Sequence, residues 1–192
     1  MAKHFLGAEN VADEALKLAS IGRRDKRDWL VRKSAALASR GEATKIGGDS
    51  RGAIRVLLHS YETLALAIKA CRSDEVGDYQ RTVADLSDRI WFLTKANAVD
   101  IASAVEAMDA LQRLWELGDR RYSLVKRMIV VVNMIIGKTD SPLVNKSSGQ
   151  RNLAIQQVGR VERIVSERAR GFPNDSRNTE LATLFDDVKN HL

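Results

Sequence analysis

Ten basic side chains crowd the stretch from Ile21 to Arg55: Arg23, Arg24, Lys26, Arg27, Arg32, Lys33, Arg40, Lys45, Arg51 and Arg55. Four acids oppose them, Asp25, Asp28, Glu42 and Asp49, so these 35 residues hold the whole net charge of +6 and the other 157 sum to zero. Guanidinium and ammonium groups at this density neutralise phosphates and release the counterions condensed on a polyanion, which makes RNA or DNA the expected class of partner. Arg23, Arg24, Lys26, Arg27, Arg32 and Lys33 are the leading candidate contacts, with Arg40 and Arg51 beside them. If about four contacts form, the logarithmic salt slope is expected near −3 to −4.

A second basic face comes from Gln150–Arg170. On a helical wheel Asn152, Gln156, Arg160, Arg163 and Arg170 fall within about 80° of one another, opposite Val158, Val161, Val165 and Ala169, while Glu167 partly offsets them. Arginines and amides repeated along one face suit a phosphate backbone; a merely solvated surface helix has the same pattern. Trp29, between Arg27 and Arg32, is the first candidate for stacking on a base, and Tyr122, beside Arg120 and Arg121, is the second. A core anchor fits Trp29 equally well. An aromatic content of 5% is too low for a dedicated single-strand reader.

Catalytic chemistry finds no foothold. His4, His59 and His191 are isolated, with no second ligand at the helical spacing a zinc site needs. The segment GEATKIGGDSRG, residues 41–52, has four glycines and a lysine but lacks the phosphate-loop spacing and follows a helix rather than a strand. Gly41–Gly48 therefore reads as a loop, with Asp49 or Ser50 capping the helix that follows. Cys71, the single cysteine, sits beside Arg72 with no histidine nearby and reads as a small, partly buried residue. Asp85 and Asp88 resemble half of a carboxylate pair, with no answering motif on another helix. The expectation is no enzyme, no metal and no cofactor.

Everything that must hold these side chains is helical. Two prolines and abundant Ala, Leu, Val and Arg favour helix throughout. Expected helices cover Glu9–Ile21, Asp25–Ser39, Ser50–Cys71, Tyr79–Lys95, Val99–Leu117, Arg120–Ile136, Gln150–Arg170 and a last one from near Asn178. The third has the clearest apolar period, through Ile54, Leu57, Leu58, Tyr61, Leu64 and Ile68. In Asp25–Ser39, Lys26 and Lys33 share the sector of Leu30 and Leu37; either the lysine stems cross the apolar stripe with their heads in water, or the helix orders only against a partner. Trp91, Phe92 and Trp115 sit at core spacing. Residues 120–136 are apolar nearly all round and predict a central buried helix. Six of the nine residues Met128–Ile136 are β-branched, but no second segment of that character is available to pair as a strand.

The fold class is thus all-α, a compact bundle of about eight helices in a single domain, 1–192, with a weak candidate division at the 137–149 loop. Charge alternates along the chain: residues 73–112 net −5 and 113–170 net +7. Antiparallel helices neutralising one another explain this, as do oppositely charged faces meeting between copies. The functional expectation is a non-enzymatic, largely sequence-nonspecific RNA- or DNA-binding subunit of a larger nucleoprotein assembly. The alternatives are a viral or phage coat or scaffold protein, and a helical adaptor for an acidic protein. The longest apolar run, Met128–Ile136, is nine residues interrupted by Asn133, far short of the about twenty a bilayer requires, and no signal peptide is apparent. A cytoplasmic or intraviral location is expected, not a secreted or transmembrane one.

Overall fold

The computed structural model describes residues 2–17, 22–71, 76–139 and 148–191. It is all-α: eight helices and, among the described residues, no strand. They are α1 (Ala2–Leu16), α2 (Arg23–Ile46), α3 (Ser50–Lys69), α4 (Gly77–Asn97), α5 (Ile101–Glu116), α6 (Tyr122–Thr139), α7 (Ser148–Gly171) and α8 (Arg177–Lys189). The chain divides into two compact units, Met1–Leu93 and Thr94–Leu192, with the division inside α4. Residues 137–149 fall within the second unit, and 140–147 of them lie outside the described residues.

In the first unit α2 packs against both α1 and α3. Leu30, Leu37, Leu57 and Leu64 are buried there, each contributing about 2 kcal/mol of transfer free energy. Two buried hydroxyls fix the antiparallel register of α2 and α3. Ser34 Oγ donates to the Ser60 carbonyl at 3.0 Å and Ser60 Oγ to the Ser34 carbonyl at 2.7 Å.

The expected loop at Gly41–Gly48 is a correction: α2 runs on through Gly41 to Ile46. Gly41 is buried, and a Cβ there would lie 2.9 Å from Leu57 Cγ and Cδ2. The glycine lets two helices approach closely instead of breaking one. The connection shrinks to Gly47–Asp49, where Gly48 takes φ +88°, and Asp49 Oδ1 caps α3 by accepting from Gly52 N at 2.7 Å. The first helix also lies nearer the N-terminus than its apolar period suggests, and residues 18–21 lie outside the described part.

In the second unit α6 is the centre, packed by α5, α7 and α8, as its apolar run predicts. Leu124, Met128, Val131, Val132, Ile135 and Ile136 are all buried. A capping box starts α5, with Asp100 Oδ1 accepting from Ser103 N at 2.7 Å and Ser103 Oγ from Asp100 N at 3.0 Å. Gly118, at φ +106°, follows its end. Trp115 here and Trp91 in the first unit are buried as expected, but Phe92, also in the first unit, is 68% exposed. Among the described residues no helix is long and apolar enough to cross a membrane.

Candidate nucleic-acid interface

The basic residues of α2 divide by the helix they face. Lys33 Nζ lies 2.5 Å from Asp13 Oδ1, and Arg40 Nη1 lies 2.7 Å from Glu9 Oε2. Glu9 is itself buried, so these two cations bind α1 to α2 across a partly desolvated seam. Of the two explanations for lysines in the apolar sector, the Lys33 head meets a carboxylate rather than water. Arg27 is mostly buried and pairs with the neighbouring Asp28 at 3.1 Å. Arg24, Lys26 and Arg32 are exposed. The Arg32 guanidinium lies 5.1 Å from the centroid of the half-buried Trp29 ring, a cation–π pair at the surface. Arg23 opens α2, and its side chain lies outside the described residues.

Arg51, in the first turn of α3, is exposed, as is Arg55 at the end of the basic stretch, and so are two residues beyond that stretch, His59 and Lys69. The missing signal was helical phase. With α3 starting at Ser50, residues 51, 55, 59 and 69 fall within about 80° of one another, opposite the face that meets α2.

Helix α2 also walls a groove of about 810 Å³. Val31, Ala35, Ala38 and Ile46 line it from α2, Leu64 from α3, and Thr82 and Leu86 from α4. Arg89 crosses between its walls, with Nε 2.9 Å from Asp85 Oδ2 and Nη1 3.5 Å from Glu42 Oε1. Asp85 is therefore an ion-pair partner. Among the described residues no group of three His, Cys, Asp or Glu side chains is arranged to hold a metal ion.

In the second unit the polar face of α7 is largely solvent-facing: Asn152, Gln156, Arg163 and Arg170 are exposed. Arg160 departs from this set. It is half-buried, and its Nη1 lies 2.8 Å from Asp109 Oδ1 on α5. Glu167, which seemed to offset the basic face, accepts a hydrogen bond from Trp115 Nε1 at 3.1 Å. Charge blocks of opposite sign thus meet inside one chain, again in Lys126–Glu180 at 2.9 Å, which raises the Lys126 pKa.

Tyr122 is placed among the protein's own cations. Arg177, Lys126 and Arg168 lie 5.4, 5.5 and 5.9 Å from its ring centroid, and its hydroxyl is buried. Arg168 is buried beneath α8 and bonded to Asn178 and to Asp175, the latter at 2.5 Å. Hydrogen bonds from Arg177 and Arg168 hold the Asp175 carboxyl well below the usual carboxylate range. These contacts fasten α6, α7 and α8 and give Tyr122 a structural role.

Each unit carries exposed cations. On the first they are Arg24, Lys26 and Arg32 of α2 and, on the side of α3 that faces away from α2, Arg51, Arg55 and Lys69. On the second they are those of the polar face of α7. No known protein family matches the chain, and neither a curated protein sequence nor a solved structure matches it.

Proposed function

We propose that the protein is a non-enzymatic, largely sequence-nonspecific nucleic-acid-binding subunit of a larger nucleoprotein assembly. It grips the phosphate backbone of RNA or DNA through the solvent-facing cations of the first unit, with Arg163 and Arg170 as a second surface. One observation carries the reading: after the seam with α1 has taken Lys33 and Arg40, the exposed cations Arg24, Lys26 and Arg32 remain together on one helix. The Trp29–Arg32 pair adds an aromatic platform beside them. Contacts of this kind position a backbone and carry little sequence information.

The test is size-exclusion chromatography with light scattering, at low and high salt, with mixed-sequence RNA or DNA oligonucleotides. Co-elution that disappears at high salt is the expected result, and comparison of the two oligonucleotides tells which is preferred. Absence of a shift with either at low salt would overturn the reading. A second reading, a subunit of a protein coat or scaffold, draws on the mainly apolar groove between α2 and α4, which phosphate binding does not use. Salt-dependent self-association without oligonucleotide binding would favour it.

A further inference from the structure

We propose that the outer face of α3 is a phosphate-binding track whose affinity is linked to protonation of His59; this rests on the nucleic-acid reading above. Arg51, Arg55 and His59 follow one another at four-residue intervals, about 6 Å apart along the helix axis, and all three are exposed. Lys69 extends the same face by about 15 Å. Glu62 is the one acid in that sector of α3. The track is therefore cationic before His59 takes a proton and more so afterwards.

Among the described residues, the charges of α2 and α4 lie off this face of α3. The register set by Ser34 and Ser60 places Lys33 and Arg32 as the α2 charges nearest His59 along the helix pair; Lys33 is held by Asp13, and Arg32 lies over the Trp29 ring. From α4, Asp85 and Arg89 line the groove with Glu42 and Leu64, on the other side of α3. The His59 side chain is exposed on this face, three residues before Glu62. A phosphodiester held against an imidazole favours its imidazolium form. Binding then takes up a proton, so affinity rises as pH falls.

Fluorescence anisotropy with a labelled mixed-sequence RNA, and with DNA of the same sequence, tests this at pH 6 and pH 8 and constant ionic strength. The wild-type protein should bind about fivefold more tightly at the lower pH. Its logarithmic salt slope should steepen there by about 0.7 on RNA. His59→Gln should bind as the wild type does at pH 8 and lose both differences, whereas His191→Gln should keep them. His59→Lys fixes the charge and should bind at pH 8 as tightly as the wild type does at pH 6. Binding that ignores pH, or a pH dependence that survives in both His59 variants, would overturn the proposal and leave the nucleic-acid reading intact. No binding to either oligonucleotide at low salt would overturn both.

Discussion

Helices α2 and α7 are each 24 residues long and rich in arginine, yet they use their charge differently. Helix α7 buries Ala154, Val158, Val161 and Ile164 on one side and keeps Asn152, Gln156, Arg163 and Arg170 in solvent on the other. A wheel drawn from the sequence captures most of that. Helix α2 has neighbours in two directions, α1 and α3, and walls a groove besides. Its cations are therefore shared out: Lys33 and Arg40 to α1, and Arg24, Lys26 and Arg32 to solvent. The number of basic residues in a segment gives its attraction for a polyanion only when the helix has a single packed face. With two, part of the charge is spent inside the fold.

The largest effect expected from breaking this arrangement is at the α2–α3 crossing. Gly41→Leu forces a side chain into Leu57 and should destabilise the protein by about 3 kcal/mol, read from denaturant unfolding. Next comes Arg40→Ala, which leaves Glu9 buried without its cation. A loss of about 2 kcal/mol is expected, with the salt slope of oligonucleotide binding unchanged. On α7 the contrast reverses. Changing Arg163 and Arg170 together to Ala should leave the melting temperature within error and flatten the salt slope by about 1.4 on single strands. The smallest effect concerns Asp175, whose carboxyl is kept ionised by Arg177 and Arg168. A group with a lowered folded-state pKa stabilises above its unfolded value and loses that contribution as pH falls. Melting temperatures between about pH 5 and pH 2 should therefore fall less in Asp175→Asn than in the wild type.

The parts legible in the sequence are those governed by local patterns. The apolar run of 128–136 fixes α6 as a buried helix, the three- and four-residue period marks α3, and Asp49 and Gly118 act as end signals where expected. Gly41 shows the limit. Within GEATKIGG a glycine reads as a breaker, and only Leu57, sixteen residues on, gives it its packing role. The cations meet the same limit, since the acids that take Lys33 and Arg40 are 20 and 31 residues away. Phe92 fits a core period and is exposed, because α4 has more apolar positions than its packed side accommodates.

The central claim is that α2 carries two kinds of cation, and one paired measurement tests it: salt-dependent oligonucleotide binding alongside thermal unfolding for two triple variants. Changing Arg24, Lys26 and Arg32 to Ala should flatten the logarithmic salt slope by about 2 on single strands and leave the melting temperature unchanged. Changing Arg27, Lys33 and Arg40 to Ala should lower the melting temperature and leave the slope of the remaining folded protein as it was. Equal loss of binding slope in both variants, or a fall in melting temperature confined to the first, would contradict the account.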